Sequence, residues 1–478
     1  VLAALLALVV LVVGYGVLDV FDVAPGVLTR DAAAEPPAAP APTGAATAGP
    51  VVPMPRPAAT ASPLFAADLS APLPAPTVLR REVADELAHP ALGPSIGVTV
   101  RDAYTGAHLL DVDPDRPRVP ASTVKVLTAL AVGVTLDPAT TLATRVVQGR
   151  TPSEVVLVAG GDSLLATGRG NPAAVAGRAG LGDLAGQVAT ALQAAGTEAV
   201  SVRLDMTYAA GPRYAPGWSM ADVDAGFTQG VSMLGLASQR PHPGRPSPTV
   251  AEDAVLDAFL TALRKAGITA EAAPGGTRTL AADAGAAELG RVESAPVRDV
   301  LALALDDSDN ALTESLARQA SVKAGGAATF EAAVDLVRKT ASGLGVDLTG
   351  VRLKDTSGLT SGQAVPARVL GDVLALGASG TVPAMRDTLA QLPVAGLDGT
   401  LYDRFDERGS RSAAGLARAK TGTLLGASSL AGTLVDRDGR VLTFVVIADR
   451  VPGGYPGTVP ARAALDRFVA ALASCGCR

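Results

Sequence analysis

The chain of 478 residues is long enough for about three domains of ordinary size. Lysine and arginine number 40 against 46 aspartates and glutamates, a formal charge of −6, and aromatic residues make up 3%; this argues against a basic stripe or a base-stacking platform, so no nucleic-acid partner is expected. Two cysteines, Cys475 and Cys477, and three scattered histidines, His89, His108 and His242, argue against a disulfide framework or a zinc site, and neither metal nor organic cofactor is expected.

Residues 1–18 carry no charged side chain. As a helix they would span about 27 Å, close to the hydrocarbon core of a bilayer, and they run longer than the apolar part of a cleaved signal. Residues 1–26 are therefore read as a membrane anchor or signal segment, with three alanines at 32–34 as a possible cleavage point. Such a segment leaves the rest outside the cytoplasm, membrane-anchored or secreted. Residues 27–71 are rich in alanine and proline without apolar periodicity, which predicts a semi-extended linker.

From residue 72 the pattern is globular. A short helix is predicted over 80–87, and two strands over 97–101 and 108–112, joined around Thr105 and Gly106 as a hairpin. A helix opens at Pro120, and 155–158 reads as a strand. Ser294 is a candidate N-cap for a helix whose Val297, Val300, Leu301 and Ala304 share one face. Strands are expected over 426–435 and 441–447 about the turn Asp436-Arg437-Asp438-Gly439, and a last helix from Pro460 with Leu465, Phe468, Val469 and Leu472 on one side. The expected fold is α+β, an antiparallel sheet flanked by helices. A bond between Cys475 and Cys477 would be strained, so the tail is expected to fray, although outside the cytoplasm the pair can oxidise or bridge chains.

Only six lysines occur, which makes each informative. Ser122-Thr-Val-Lys125 puts a hydroxyl one helical turn from an amine. Serine needs a base to become a nucleophile, and a lysine kept neutral by burial and positive neighbours can serve. In Ser308-Asp309-Asn310, a second hydroxyl can relay a proton to a leaving amine, and the amide can hold a substrate amide by both donor and acceptor. In Lys420-Thr421-Gly422-Thr423, a cation on a strand can bind a carboxylate, Thr421 adds a hydrogen bond, Gly422 permits close approach, and the residue after it can offer its N–H to an oxyanion. Taken singly, the second motif reads as a turn between helices and the third as a solvated strand edge.

Together and in this order, the three resemble the motifs of the penicillin-recognising serine enzymes. The segment between Lys125 and Ser308 is far longer than a minimal β-lactamase needs, and an inserted domain is expected at 163–289, within a DD-peptidase domain made of 72–162 and 290–474. This layout is similar to the penicillin-binding protein 4-type D-alanyl-D-alanine carboxypeptidase/endopeptidase family (S13 peptidases). Further matching stretches are Ala159-Gly-Gly-Asp-Ser163, Asp205-Met-Thr-Tyr208 running to Pro216-Gly-Trp218, Asp355-Thr-Ser-Gly-Leu359 and Leu392-Pro-Val-Ala-Gly-Leu-Asp-Gly-Thr-Leu401. The resemblance implies Ser122 as acylated nucleophile, Lys125 as general base, Ser308 as proton shuttle, Asn310 as peptide holder, Lys420 and Thr421 as carboxylate binders, and the N–H groups of Ser122 and Thr423 as the oxyanion hole. It also implies Asp205 as partner of the free amine on a diaminopimelate side chain. The implied substrates are peptidoglycan stem peptides, with β-lactams as inhibitors and action at the cell wall. Two alternatives are a β-lactamase, which the absence of a Glu-x-x-Leu-Asn stretch disfavours, and a non-catalytic wall-binding scaffold, which the intact motifs disfavour. Trp218 is expected to pack in the core.

Overall fold

The computed structural model describes residues 70–476. The expected anchor and nearly all of the expected linker lie outside the described residues, as does Cys477. Ala71, assigned to the linker, is already buried, and its carbonyl accepts from Arg440 Nη1 at 3.1 Å.

In chain order the strands are β1 (Ile96–Asp102), β2 (His108–Val112), β3 (Ala143–Gln148), β4 (Glu154–Val158), β5 (Ala199–Asp205), β6 (Thr269–Ala272), β7 (Glu288–Glu293), β8 (Ala417–Leu424), β9 (Ala427–Val435) and β10 (Val441–Ala448). One sheet has the order β2-β1-β10-β9-β8 and is antiparallel throughout. Its central strand β10 is an almost unbroken apolar run because both faces are covered. Leu442, Phe444 and Val446 meet Leu465, Phe468 and Val469 of the last helix (Thr458–Ser474), while Val445 and Ile447 face the core shared with Val369, Leu370 and Val373. The hairpin turn before β10 closes as expected: Asp436 Oδ1 accepts from the backbone N–H of Asp438 at 3.0 Å and of Arg440 at 2.8 Å.

The other sheet has the order β6-β5-β4-β3-β7 and is mixed, parallel from β6 to β4 and antiparallel from β4 to β7. The helices Leu181–Ala194 and Ala251–Lys265 pack against it around Phe259. Its strands lie on both sides of the limits expected for the insert. β3 and β4 precede residue 163 and β7 runs past residue 289, so the lobe built on this sheet extends over Ala143–Glu293.

Smaller differences have local causes. The expected helix at 80–87 breaks at the buried Val83 into Pro76–Glu82 and Ala84–Leu87. Ser294 does not cap the helix Val297–Asp306; Pro296, with extended backbone, takes that place, and Ser294 Oγ instead accepts from Leu142 N at 2.9 Å. The last helix begins at Thr458, two residues before Pro460, which its first turn tolerates. Cys475 is not in a frayed tail: it is 4% exposed, packs in the core beneath that helix, and is disulfide-bonded.

Candidate active site

Ser122 lies in a 3-10 turn, Ala121–Val124, rather than inside the α-helix, which starts at Lys125 and runs to Thr135. The turn is held in a demanding conformation. Ala121 has φ +49°, which an L residue adopts only under constraint. The constraint comes from β8 and β9. Ser429 Oγ donates to the Pro120 carbonyl at 2.7 Å, and Thr123 Oγ1 reaches the same carbonyl at 2.6 Å. Gly422 makes this approach possible: a Cβ there would lie 2.3 Å from Ser429 Oγ and 2.7 Å from the Pro120 oxygen.

Lys125 is fully buried. Its Nζ has three neighbours: Ser122 Oγ at 3.0 Å, Asn310 Oδ1 at 2.5 Å and the Ser357 carbonyl at 2.7 Å. Burial lowers its pKa to about 8, against the opposing pull of Asp355, Glu314 and Asp309. The first and second motifs are thus joined directly, amine to amide.

Asn310 begins the helix Asn310–Lys323, and Asp309 is its N-cap, accepting from Leu312 N at 2.9 Å. The Asn310 amide is engaged at both ends within the protein, because Nδ2 donates to the Phe227 carbonyl at 2.8 Å. In these contacts it braces Lys125. Ser308 is half-buried, with φ +55°. Among the described residues its hydroxyl makes no hydrogen bond to Ser122, Lys125 or Lys420.

Lys420 is fully buried on β8, and its Nζ donates to the Thr421 carbonyl at 2.9 Å. Burial and the nearby Lys125 push its pKa well down, with Asp306 opposing. Thr421 Oγ1 donates to Thr400 Oγ1 at 3.0 Å. Asp205, in contrast, stays apart from this cluster. At the end of β5 its Oδ1 accepts from Thr207 N at 2.8 Å and Thr207 Oγ1 at 2.6 Å, and its Oδ2 from Ala282 N at 2.9 Å. Its carboxylate organises a turn at the end of β5.

Several residues here escaped the motifs. Glu314 is buried one turn beyond Asn310. Its Oε1 accepts from the backbone N–H of Thr356 at 2.8 Å and of Ser357 at 2.7 Å, and its Oε2 from Thr356 Oγ1 at 2.6 Å. Burial and Asp355 raise its pKa to about 7. Asp355 accepts from Gly358 N, Thr360 N, Gln363 Nε2 and, at 3.0 Å, Trp218 Nε1. These two carboxylates hold the loop that presents the Ser357 carbonyl to Lys125. Trp218 packs as expected, edge-on to Phe330, but also supports this loop. Arg462, on the last helix, donates from Nε to Thr423 Oγ1 at 3.2 Å. The spacing of Glu314 from Asn310, four residues along one helix, was visible in the sequence; nothing local marked Arg462.

A family model described as the D-Ala-D-Ala carboxypeptidase 3 (S13) family matches residues 79–240 and 242–472. Carboxypeptidase DacB of Mycolicibacterium smegmatis is 38% identical over 416 residues, covering 86% of this chain and 87% of that protein. The D-alanyl-D-alanine carboxypeptidase of Actinomadura sp. (strain R39) is 30% identical over 458 residues, covering 80% and 82%. In fold, the chain is similar to penicillin binding protein 4 (dacB) from Haemophilus influenzae, with a TM-score of 0.65 at 19% identity over 81% of this chain and 97% of that one. The matched stretches run from ahead of the Ser122 turn to beyond Arg462 and take in every residue gathered around the Lys125 amine, and the chain belongs to the D-Ala-D-Ala carboxypeptidase 3 (S13) family.

Proposed function

We propose that the protein hydrolyses the D-Ala-linked amide of peptidoglycan stem peptides through an acyl-enzyme on Ser122. The observation that carries this is the set of three contacts at Lys125 Nζ, which suits a neutral amine poised to take the Ser122 proton. As Oγ attacks the penultimate D-Ala carbonyl, Lys125 accepts its proton. The developing oxyanion is met by the N–H groups of Ser122 and Thr423. The C–N bond then breaks, and the proton held by Lys125 passes by way of Ser308 to the departing amine, which leaves Lys125 neutral. D-Ala leaves, a water gives a proton to Lys125 and attacks the ester, and as the ester C–O bond breaks Lys125 returns that proton to Ser122 Oγ and the acid is freed. Lys420 and Thr421 receive the terminal carboxylate of the substrate. That anion adds to the counter-charge Asp306 already gives the buried Lys420 amine, and so favours its protonated form. Asp205 has no part in this scheme.

The peptidase domain is drawn from the antiparallel sheet and the helices on its two faces, and the insert is its support. Among the described residues no helix is long and apolar enough to cross a membrane. We assign membrane attachment to residues 1–18, outside that part, with the catalytic domain at the cell wall.

The test is digestion of a defined pentapeptide and of a cross-linked dimer, with mass spectrometry of the products. Release of D-Ala from the first marks a carboxypeptidase, and cleavage of the second an endopeptidase. Fluorescent penicillin must label the wild type and not Ser122→Ala. Labelling of Ser122→Ala refutes the assignment of the nucleophile. A protein that binds wall fragments but neither cuts peptide nor takes label is a scaffold.

A further inference from the structure

The lobe between the first and second motifs reaches the catalytic cluster at Trp218, at the Phe227 carbonyl and at Arg240. The Arg240 contact differs in kind. Its guanidinium meets the Asp309 carboxylate with two bonds, Nε to Oδ2 and Nη2 to Oδ1, both 2.7 Å. The side chains are 13% and 6% exposed, so both charges are largely withdrawn from water. Ser163 Oγ steadies the remaining Nη1 at 3.4 Å. Asp309 is covalently next to Asn310, whose Oδ1 lies 2.5 Å from Lys125 Nζ. The charged groups around that amine are Asp309, Glu314, Asp355 and Lys420.

Taking Ser122 as the acylated nucleophile, we infer that Arg240 is a positioning residue for this reaction: the inserted lobe uses it to lock the Ser308–Asn310 turn against Lys125 without leaving a bare negative charge beside the amine. Two features require such a residue. The turn contains Ser308 in a left-handed conformation, which needs outside support. Its centre is a buried carboxylate that caps a helix, and an unpaired carboxylate there favours the ammonium form of its neighbour. Glu314 and Asp355 are engaged by backbone N–H groups and neutral side chains, whereas Asp309 is the member of the set with a guanidinium partner.

The test is the pH dependence of penicillin acylation in the full chain, read alongside thermal unfolding. Arg240→Ala exposes the Asp309 charge, so Lys125 holds its proton to higher pH. The acid limb of the profile moves up by about one unit, and the rate at neutral pH falls about tenfold and recovers at high pH. Asp309→Asn keeps a good N-cap but leaves the Arg240 cation, so the limb moves down. The double variant removes both charges, and its limb lies below that of Arg240→Ala. A limb that stays fixed in folded Arg240→Ala, with the rate lowered equally at every pH, overturns the inference. If Arg240→Ala does not fold, Asp309→Asn decides, and a fixed limb there overturns it. A wild type that takes no label sinks the nucleophile assignment and this inference with it, whereas a labelled wild type with unmoved variants sinks the inference alone.

Discussion

At the Lys125 amine, counting donors and acceptors decides the chemistry. A neutral amine has two N–H groups and one lone pair. Asn310 Oδ1 and the Ser357 carbonyl only accept, and the orientation of the Asn310 amide is fixed by its other end on Phe227. That leaves the lone pair for the neighbour that can donate, the Ser122 hydroxyl at 3.0 Å. Below its pKa the amine is an ammonium with no lone pair, so activity is lost as pH falls. With the pKa lowered to about 8, the second-order rate of penicillin acylation should rise with pH and reach half its maximum near pH 8. A flat or falling rate between pH 6 and 9, by stopped-flow fluorescence, contradicts this. Lys125→Arg should cost at least about 100-fold in the same assay, because a guanidinium stays charged. The pairing of Ser122 with Lys125 was legible in the sequence because three-residue spacing brings side chains together in 3-10 and α geometry alike. The turn contacts of Asp205 were not legible, because a resemblance cannot count the hydrogen bonds a carboxylate already accepts.

Among the elements, the loop after Arg352 does most to fix the nucleophile. It is held from below by Glu314 and Asp355, and from above by contact with the Ser122 turn: a Cβ on Gly358 would lie 2.1 Å from the Ala121 carbonyl oxygen, and Gly358 has φ +89°. Gly358→Ala should therefore destabilise the fold by more than about 1 kcal/mol and slow acylation, measured by thermal unfolding and penicillin labelling. Glu314→Ala would strand two buried N–H groups and should cost about 3 kcal/mol, while Glu314→Gln keeps an acceptor for both and should cost much less. Removing that negative charge should also move the acid limb of acylation to lower pH, since Glu314 supports the charged form of Lys125. An unmoved limb in a folded Glu314→Gln counts against the electrostatic link. The sequence displayed β1, β2, β9 and β10 because they are rich in β-branched and apolar residues and end in glycine or aspartate turns. It hid the helices Leu181–Ala194 and Ala251–Lys265, where alanine is both helix former and core filler and so blurs the polar and apolar faces. It also hid the pairing of β4 with β5, which is non-local and parallel.

In the whole molecule, β8 and β9 hold the Ser122 turn while Trp218, Phe227 and Arg240 of the other lobe reach Asp355, Asn310 and Asp309 behind it, and the placing of carboxylates there bears on how long an acyl-enzyme survives. Hydrolysis of the ester needs a base for water. Glu314 and Asp355 lie behind Lys125 with their oxygens engaged by the loop they hold, so neither is placed to activate a water at the ester. No Glu-x-x-Leu-Asn stretch supplies another. On the proposed mechanism Lys125 then serves as the base in both half-reactions. With a peptide, D-Ala departs after acylation and its place opens to water. With a β-lactam, ring opening leaves the amine tethered to the acyl group, and it stays where water would enter. The penicilloyl adduct should therefore survive gel filtration and appear in the intact mass of the wild type but not of Ser122→Ala, while pentapeptide given to the unlabelled enzyme is turned over repeatedly. Loss of the added mass within minutes, with free penicilloic acid accumulating, would reveal a water-activating base outside this set of carboxylates and make the protein a β-lactamase in practice.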